Sequence, residues 1–517
     1  MILSKPYILS FLKKHLHVLL VCVLGIIGFF INQFYGISWD EEFQREMGVN
    51  TYNYIFNNDQ TLLYSPTKYY GVAVEFPLYV LEKITHPTSF HNVYYMRHLI
   101  THFYFLIGGL FCFLLIDFLY NSKKLAYTAL LLYILQPTIF CHSFFNSKDI
   151  PLIPTLMLVF YLMALSFYKQ KFWLYILLGI SVGVLTNIRL IGFMFFAIIP
   201  FFILVDLLFV QKTNKLRLKN LLFATFFLLF ACLTLYATWP ILWKTPIDTL
   251  KLAFANMSKF PWEGVVLING ELVKSTDVTW TYFFIYFGIT NPILYLVLGL
   301  IGMFLLLYYF IVKTKLFFLD SILKNNAVYL FCFVAPIILV LYLDSIIYDT
   351  WRHLYFLYAP FILLIIFGLH KLSSSKIKIP VYVSLYATFI YLIFFSIFNF
   401  PHQHVYYNYL VSHAPEYIRH HYEMDYWGTS YKQGIEYVLE HDSSKNITIS
   451  VADWPGELNL KAFQLAERTV TILPEDSAQY HITTYRTRLD DYDKFKGKHF
   501  HSIYVNNSMI NTIFKIK

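Results

Sequence analysis

Charge is scarce in this chain. Only 14% of its 517 residues are Asp, Glu, Lys or Arg, where an ordinary soluble domain carries about 25%. A water-facing surface for a fold of this size cannot be built from so few charges, so an ordinary soluble domain is excluded. Cysteine is scarce too. Cys22, Cys112, Cys141, Cys232 and Cys332 all lie inside or at the ends of apolar runs, which leaves no disulfide framework in the polar segments. There is no Gly-rich loop of the kind that cradles phosphates, so a soluble nucleotide donor has no support. No small-residue cleavage site follows the first apolar run, 18–31, which Lys13 and Lys14 precede. That run reads as an uncleaved signal anchor. Heptads, solenoid repeats and low-complexity tracts are missing, as is the inverted repeat that many transporters carry.

What the chain has in quantity is apolar and aromatic surface, 58% and 20% of residues. A helix needs about 20 apolar residues to cross a bilayer. Runs of roughly that size fall at 16–35, 98–120, 125–141, 150–168, 172–188, 190–210, 221–239, 289–312, 326–346, 353–370 and 379–399. The expected fold is a polytopic α-helical membrane protein of about eleven transmembrane helices, with its partner surface the lipid bilayer. The net charge of +9 does not point to nucleic acid. Its Lys and Arg sit in short loops between the apolar runs, at Lys123 and Lys124, Lys169 and Lys171, Lys212 to Lys219, Lys313 to Lys324, and Lys371 to Lys378. Positive charge of this kind marks cytoplasmic loops. The alternate loops are longer and of mixed sign, so segments 36–97, 239–280 and the tail after 400 are expected on the exported side.

The tail alternates two periods. "GTSYKQGIEYVLEHD" and "GELNLKAFQLAE" read as helices, and "NITISVAD" and "TVTILP" as strands. The expected domains are therefore a membrane-embedded catalytic unit, 1–399, and a small exported α/β domain, 400–517.

The sharpest motif is "ISWDEEFQREMG", directly after the first run, where Asp40, Glu41 and Glu42 stand together. Neighbouring residues point to different faces of a helix, so at most one or two of these acids address one site. The ordinary alternative is a helix start, where acids are favoured by the helix dipole. Cations expected on the same side are few. They are Lys148 in "NSKD", Arg189 in "TNIR", and Arg352 beside His353 in "DTWRH". Charge held near a bilayer is costly and reads as functional, with snorkelling to the interface as the alternative. Asp149 follows Lys148, and Asp344 and Asp349 flank Arg352 as charge partners. Trp239, Trp243 and Trp262 read as interface anchors or as stacking surfaces for a sugar. His402, His404, His420 and His421 lack a closing ligand at a recognisable spacing, so no metal is assigned.

These motifs, in this order and on this side, resemble the GT-C superfamily of membrane glycosyltransferases. Protein O-mannosyltransferases and lipid A aminoarabinose transferases are the groups it looks most like. The resemblance rests on "SWDEE", "KYYG" with "EFP", "HSFFNSKDIP", "NIRLIG", "WRHLYF", "HQHVYYN" and "DYWGTSY". It departs at "EFPLY", where the two groups carry Pro-Pro-Leu. The resemblance implies a polyprenyl-phosphate sugar donor, no cofactor, and a hydroxyl acceptor on a lipid, glycan or protein. A second acid near the loop between the third and fourth spans, here Asp149, helps to shape the family's site. It also implies a bacterial inner membrane, with the site facing the periplasm or cell exterior. The chemistry stands on its own terms. Phosphate is a weak base and leaves without a general acid, so the site needs a carboxylate base and cations. Asp40 is the expected base and Glu41 its runner-up or partner. Lys148, Asp149, Arg189, Arg352 and His353 are the expected binding residues. A transporter or flippase of lipid-linked or small polar substrates is the alternative. It would place charges in mid-span and break helices in paired positions. A polymerase or ligase of lipid-linked glycans would share the donor but arrange its basic loops differently.

If the loop alternation holds, reporter fusions placed after Trp39 and after Phe400 will report the same, non-cytoplasmic side. Opposite sides would refute the odd number of crossings.

Overall fold

The computed structural model describes residues 5–207, 214–258, 262–313, 320–463, 468–486 and 488–517. Lys212 and Lys315 lie outside the described residues, as do 208–210 of the expected sixth span and 464–467 of the second expected tail helix.

Each of the eleven expected spans contains helix, but they are not equal. Eight helices among the described residues are long and apolar enough to cross a membrane. The expected span 125–141 is instead a pair, Lys123–Ile134 and Pro137–Phe145, bent by 62°. The break has a local cause. Pro137 opens the second helix at its first position, and the Gln136 side chain caps it by accepting from the Ile139 N–H at 2.6 Å. The expected spans 172–188 and 190–210 are shorter apolar helices, Phe172–Ile188 and Leu190–Val205. Arg189 stands between them in extended backbone. Among the described residues, eight helices are long and apolar enough to cross, or nine with the bent pair counted as one.

The helix Phe90–Tyr120 has 31 residues, about 46 Å at 1.5 Å per residue. That exceeds a hydrocarbon core of about 30 Å. Its first turns project past the bundle and carry Arg97 and His98, both buried. The most enclosed span is Arg352–Leu372, 89% buried, against 22% for the first span His15–Phe34. Arg352 thus stands at the head of the bundle's central helix. At the opposite end Tyr120 accepts from Asn326 at 2.9 Å, and Lys324 pairs with Asp206 at 2.8 Å. Residues at the ends of helices that flank three of the basic loops thus lie together.

Outside the bundle, the first long loop folds into short helices, among them Glu41–Phe56 and Glu75–Thr85. The second long loop carries a hairpin, β1 (Val265–Ile268) and β2 (Glu271–Lys274), turning through Asn269 and Gly270. In the tail the four expected elements are present as Tyr431–His441, β3 (Asn446–Val451), Trp454–Ala462 and β4 (Thr469–Ile472). Three more strands follow, β5 (Tyr480–Thr483), β6 (His499–Val505) and β7 (Ser508–Lys515). The sheet order is β4-β3-β5-β7-β6, with β3 parallel to β4 and β5 and the remaining pairs antiparallel. Tyr431, Ile435 and Val438 on one helix face pack against Ile447, Ile449, Ile482 and Ile513 of the sheet. Ahead of this sheet the chain from His402 to Asn408 is buried against the spans. Thr138 donates to the His404 carbonyl at 3.3 Å and Asn408 N–H to the Ile289 carbonyl at 2.8 Å.

Small residues let two spans approach closely. A Cβ on Gly302, in Ile293–Val312, would stand 2.0 Å from the Leu364 carbonyl of the central helix. That contact is backbone and cannot swing aside. Gly302→Val is expected to cost about 1–3 kcal/mol or more through overpacking, with Gly302→Ala between it and the parent. Thermal unfolding in detergent measures this, and equal midpoints for all three would refute the close approach.

Candidate active site

Four segments distant in sequence converge at the head of the central helix. Asp40 is the N-cap residue of the Glu41–Phe56 helix. The Ser38 N–H donates to the Glu41 carboxylate at 2.6 Å, one half of a capping box, while the Ser38 hydroxyl donates to the Phe145 carbonyl at 3.2 Å. The other oxygen of Glu41 meets His98 Nε2 at 2.7 Å. Glu41 is 3% exposed and committed to these partners, so its carboxylate turns away from the one beside it. Glu42 is half-buried.

Asp40 is placed differently. Its Oδ2 lies 2.9 Å from Arg352 Nη1 and 3.2 Å from Lys148 Nζ. Arg352 is shared further. Nη1 is 3.6 Å from Asp149, and Nη2 is 2.9 Å from Asp349. Asp149 is held at 2.5 Å by Arg189, and its own N–H is accepted by Asn146 at 2.9 Å. Asp349 is held at 2.6 Å by Arg486, from the tail domain. The expected residues Asp40, Lys148, Asp149, Arg189 and Arg352 therefore form one contiguous network. His353 is half-buried, stacks edge-on against Tyr348 at 4.4 Å, and has no partner at Nδ1. Asp344 is exposed and stands apart.

Electrostatics follow from the contacts. Burial alone would push the Asp40 carboxyl up, but Lys148 and Arg352 outweigh it and hold it well below the usual carboxylate range. Burial likewise opposes ionisation of Asp149, and Arg189 and Arg352 overcome it. Lys148 is disfavoured by burial and then raised by Asp40. Four cations, Lys148, Arg189, Arg352 and Arg486, face three paired acids, Asp40, Asp149 and Asp349. One positive charge is left over, and Arg352 Nε has no hydrogen-bond partner. A buried donor without a partner is costly, so the cluster is suited to an anion. No group of three or more His, Cys, Asp or Glu side chains among the described residues is placed to share a metal ion. His404 pairs with Asp425 at 2.9 Å and His402 with Gln433 at 2.7 Å, while His420 and His421 lie on the separate helix Pro415–His421.

Several supporting residues lie in stretches the sequence singled out without giving them a binding role. The ring of Tyr70 lies 4.9 Å from Lys148 Nζ and 5.4 Å from the Arg189 guanidinium. Gly71 permits that approach, since a Cβ there would fall 1.3 Å from the Asn187 carbonyl. Asn187 in turn accepts from Val72 N–H at 2.8 Å. Thus "YYG" and "NIR" lock together. Glu75 pairs with buried Arg97 and accepts from Ser147 at 2.6 Å, bracing the turn that carries Lys148. Trp262 stacks on Tyr348 at 3.9 Å, and Trp239 is buried. Trp243 donates its ring N–H to the Tyr236 carbonyl at 2.8 Å.

A groove of about 470 Å³ opens beside the network. Arg189, His353, Tyr70 and Tyr348 stand at it, and Met194, Pro336, Leu339, Val340 and Leu343 extend it along the spans. Its occupant would be ionic at one end and apolar at the other.

No family model and no curated protein matches this chain. Among solved structures it is similar to the oligosaccharyltransferase of Archaeoglobus fulgidus. For the apo form the TM-score is 0.47 at 13% identity, covering 91% of this chain and 66% of that one. For the form tethered to an acceptor peptide with an NVT sequon, the values are 0.46, 14%, 90% and 65%. For the complex with an inhibitory peptide and a dolichol-phosphate they are 0.45, 12%, 92% and 70%. The chain spans slightly under two thirds of the length of the first two.

Glu423 beside the network supplies a pH signature. Burial and then the nearby Asp349 raise its carboxyl to about 8, against the pull of Arg486. A carboxyl whose folded pKa is raised holds its proton in the folded state after the unfolded chain has lost it. Stability therefore falls as pH climbs from about 4.3, the unfolded value, and levels off above about 8. Glu423→Gln should flatten that decline in a thermal-stability series from acid to neutral pH. An unchanged slope would remove Glu423 as its source.

Proposed function

We propose that the protein is an inverting glycosyltransferase of the GT-C type that moves a sugar from a polyprenyl-phosphate donor to a hydroxyl acceptor. One observation carries this reading. A carboxylate, Asp40, is clamped between Lys148 and Arg352 in a network whose Arg189 lines a groove that is otherwise mostly apolar along the spans. A lipid phosphate has that same division. Its isoprenoid chain fits among Pro336, Leu339, Val340 and Leu343, and its phosphate fits against Arg189 and the neighbouring Arg352 and Lys148. Bidentate guanidinium contacts suit phosphate oxygens.

The reaction then needs little from the protein. The acceptor O–H gives its proton to Asp40, and its oxygen attacks the anomeric carbon from the face opposite the phosphate. The carbon–oxygen bond to phosphate breaks, and the electron pair leaves with the polyprenyl phosphate. The leaving group gains one negative charge, which the surplus cation offsets. The sugar is a hexose or a pentose. The acceptor is a hydroxyl of a lipid, a glycan or a protein on the exported side. The unit 1–399 would hold the donor and the tail domain would cap it. We place the protein in a bacterial inner membrane, with this end facing the periplasm or cell exterior. A transporter would spread its charges through the membrane depth, whereas here they meet at one end of the bundle.

Asp40→Asn keeps the side-chain size and deletes the basic oxygen. Transfer from a synthetic polyprenyl-phosphate sugar in nanodiscs should drop about 10²–10⁴-fold, with donor binding retained. Glu41→Gln, whose partners are Ser38 and His98, should lose thermal stability more than rate per folded molecule. Near-normal transfer by Asp40→Asn would refute the base assignment.

A further inference from the structure

The tail domain contributes one ion-pair partner to the network, Arg486. Arg486 lies just past β5, after Tyr485, whose φ of 59° is left-handed and costly for a bulky residue. That turn sends the chain back toward the spans. Arg486 is buried, its side chain 9% exposed. Nη2 holds Asp349 at 2.6 Å, and Nη1 donates to the Tyr426 carbonyl at 2.5 Å. The guanidinium also covers the ring of Trp39 at 4.2 Å. It therefore touches the residue before Asp40 and the acid that binds Arg352.

Asp349 is the pivot. It stands between two guanidinium groups, Arg486 on one oxygen and Arg352 on the other. Asp349 and Thr350 both have left-handed φ, 55° and 65°. A β-branched residue there is strained and persists only when its surroundings over-determine it. Thr350 N–H donates to Glu423 at 2.9 Å, and its hydroxyl lies 3.3 Å from that of Tyr426. The tail thus fixes the turn that launches Arg352.

We infer that Arg486 is a positioning residue: by occupying Asp349 it keeps Arg352 directed at Asp40 and at the donor phosphate. This rests on the glycosyltransferase reading above. Without the Arg486 charge, Asp349 turns its full attraction on Arg352 and competes with the incoming anion. The tail domain is then part of the donor site and more than a cover over it.

The competition predicts a suppressor. Arg486→Gln should raise the donor KM by about tenfold or more with a smaller change in kcat and in the acceptor KM. Arg486→Lys should retain part of the function. Adding Asp349→Asn to Arg486→Gln removes the competitor and should restore donor KM to within about threefold of the parent. A merely structural Arg486 would make the two losses add. Parent, Arg486→Gln, Arg486→Lys, Asp349→Asn and the double variant are all tested in nanodiscs for binding of undecaprenyl phosphate, which needs no turnover, and for thermal stability. Parent and Arg486→Gln proteins that bind and transfer alike would overturn the inference and leave the enzyme reading standing. So would a double variant worse than either single one. A parent that neither binds undecaprenyl phosphate nor transfers would overturn both.

Discussion

Arg352 governs the architecture around it. A guanidinium 2% exposed at the head of the bundle's most buried helix is costly unless its charge is met on every side. Three carboxylates meet it, from three separate stretches of chain: Asp40 after the first span, Asp149 before the fourth expected one, and Asp349 three residues ahead. Each carboxylate has a second cation of its own, Lys148, Arg189 or Arg486. Aromatic faces close what the carboxylates leave open, with Trp427 at 4.7 Å and Tyr348 at 5.1 Å from the guanidinium. Removing any one partner would leave a buried charge uncompensated. The loops that supply them are consequently held together by more than packing.

That constraint explains why so many breaks in helical regularity sit at one end. Helix Phe172–Ile188 stops at Arg189 so that its side chain can turn to Asp149. The bent pair ends at Asn146, whose side chain caps the turn carrying Lys148 and Asp149. The central helix begins with a 3-10 turn, Arg352–Leu357, after two left-handed residues. At the opposite end, among the described residues, Lys324 pairs with Asp206.

The sequence made the spans and the network legible for different reasons. Apolar runs fix helices because the bilayer leaves backbone no other partner, and rare cations near a membrane stand out by their cost. Lys148, Arg189 and Arg352 were visible on that ground, Asp40 by its acidic triplet after the first span, and Asp149 through the resemblance. Glu41 stood as runner-up to Asp40, yet one step along a helix turns a side chain by about 100°. Its Ser38-x-x-Glu41 spacing already carried the capping signal that sends it to the Ser38 N–H. Arg486 was invisible, because a basic residue in a polar tail has no local mark. Its partner Asp349 lies 137 residues away. The last three strands were missed because "YHIT" and "HFHSIYV" place His among the apolar positions, where His481 is 2% exposed against Tyr492 and Phe495. The apolar helices are shorter or bent where Arg189 and Pro137 interrupt runs whose total hydrophobicity is high.

One tension in the proposed chemistry follows from the same contacts and resolves them into a sequence of events. A carboxylate held well below its usual range by two cations is well placed and a poor base, because Brønsted behaviour ties proton-accepting strength to pKa. Lys148 and Arg352 cannot serve Asp40 and the donor phosphate at full strength together. A phosphate entering from the groove draws both toward itself, and the field that depressed Asp40 weakens as it does so. Basicity then rises only with the donor in place, beside the bond that is to break. Under the proposed function the donor would bind before the acceptor, and a resting Asp40 tied up by cations would do little to activate water. The pairing that holds Asp40 low at rest would then let the donor phosphate itself prepare the base.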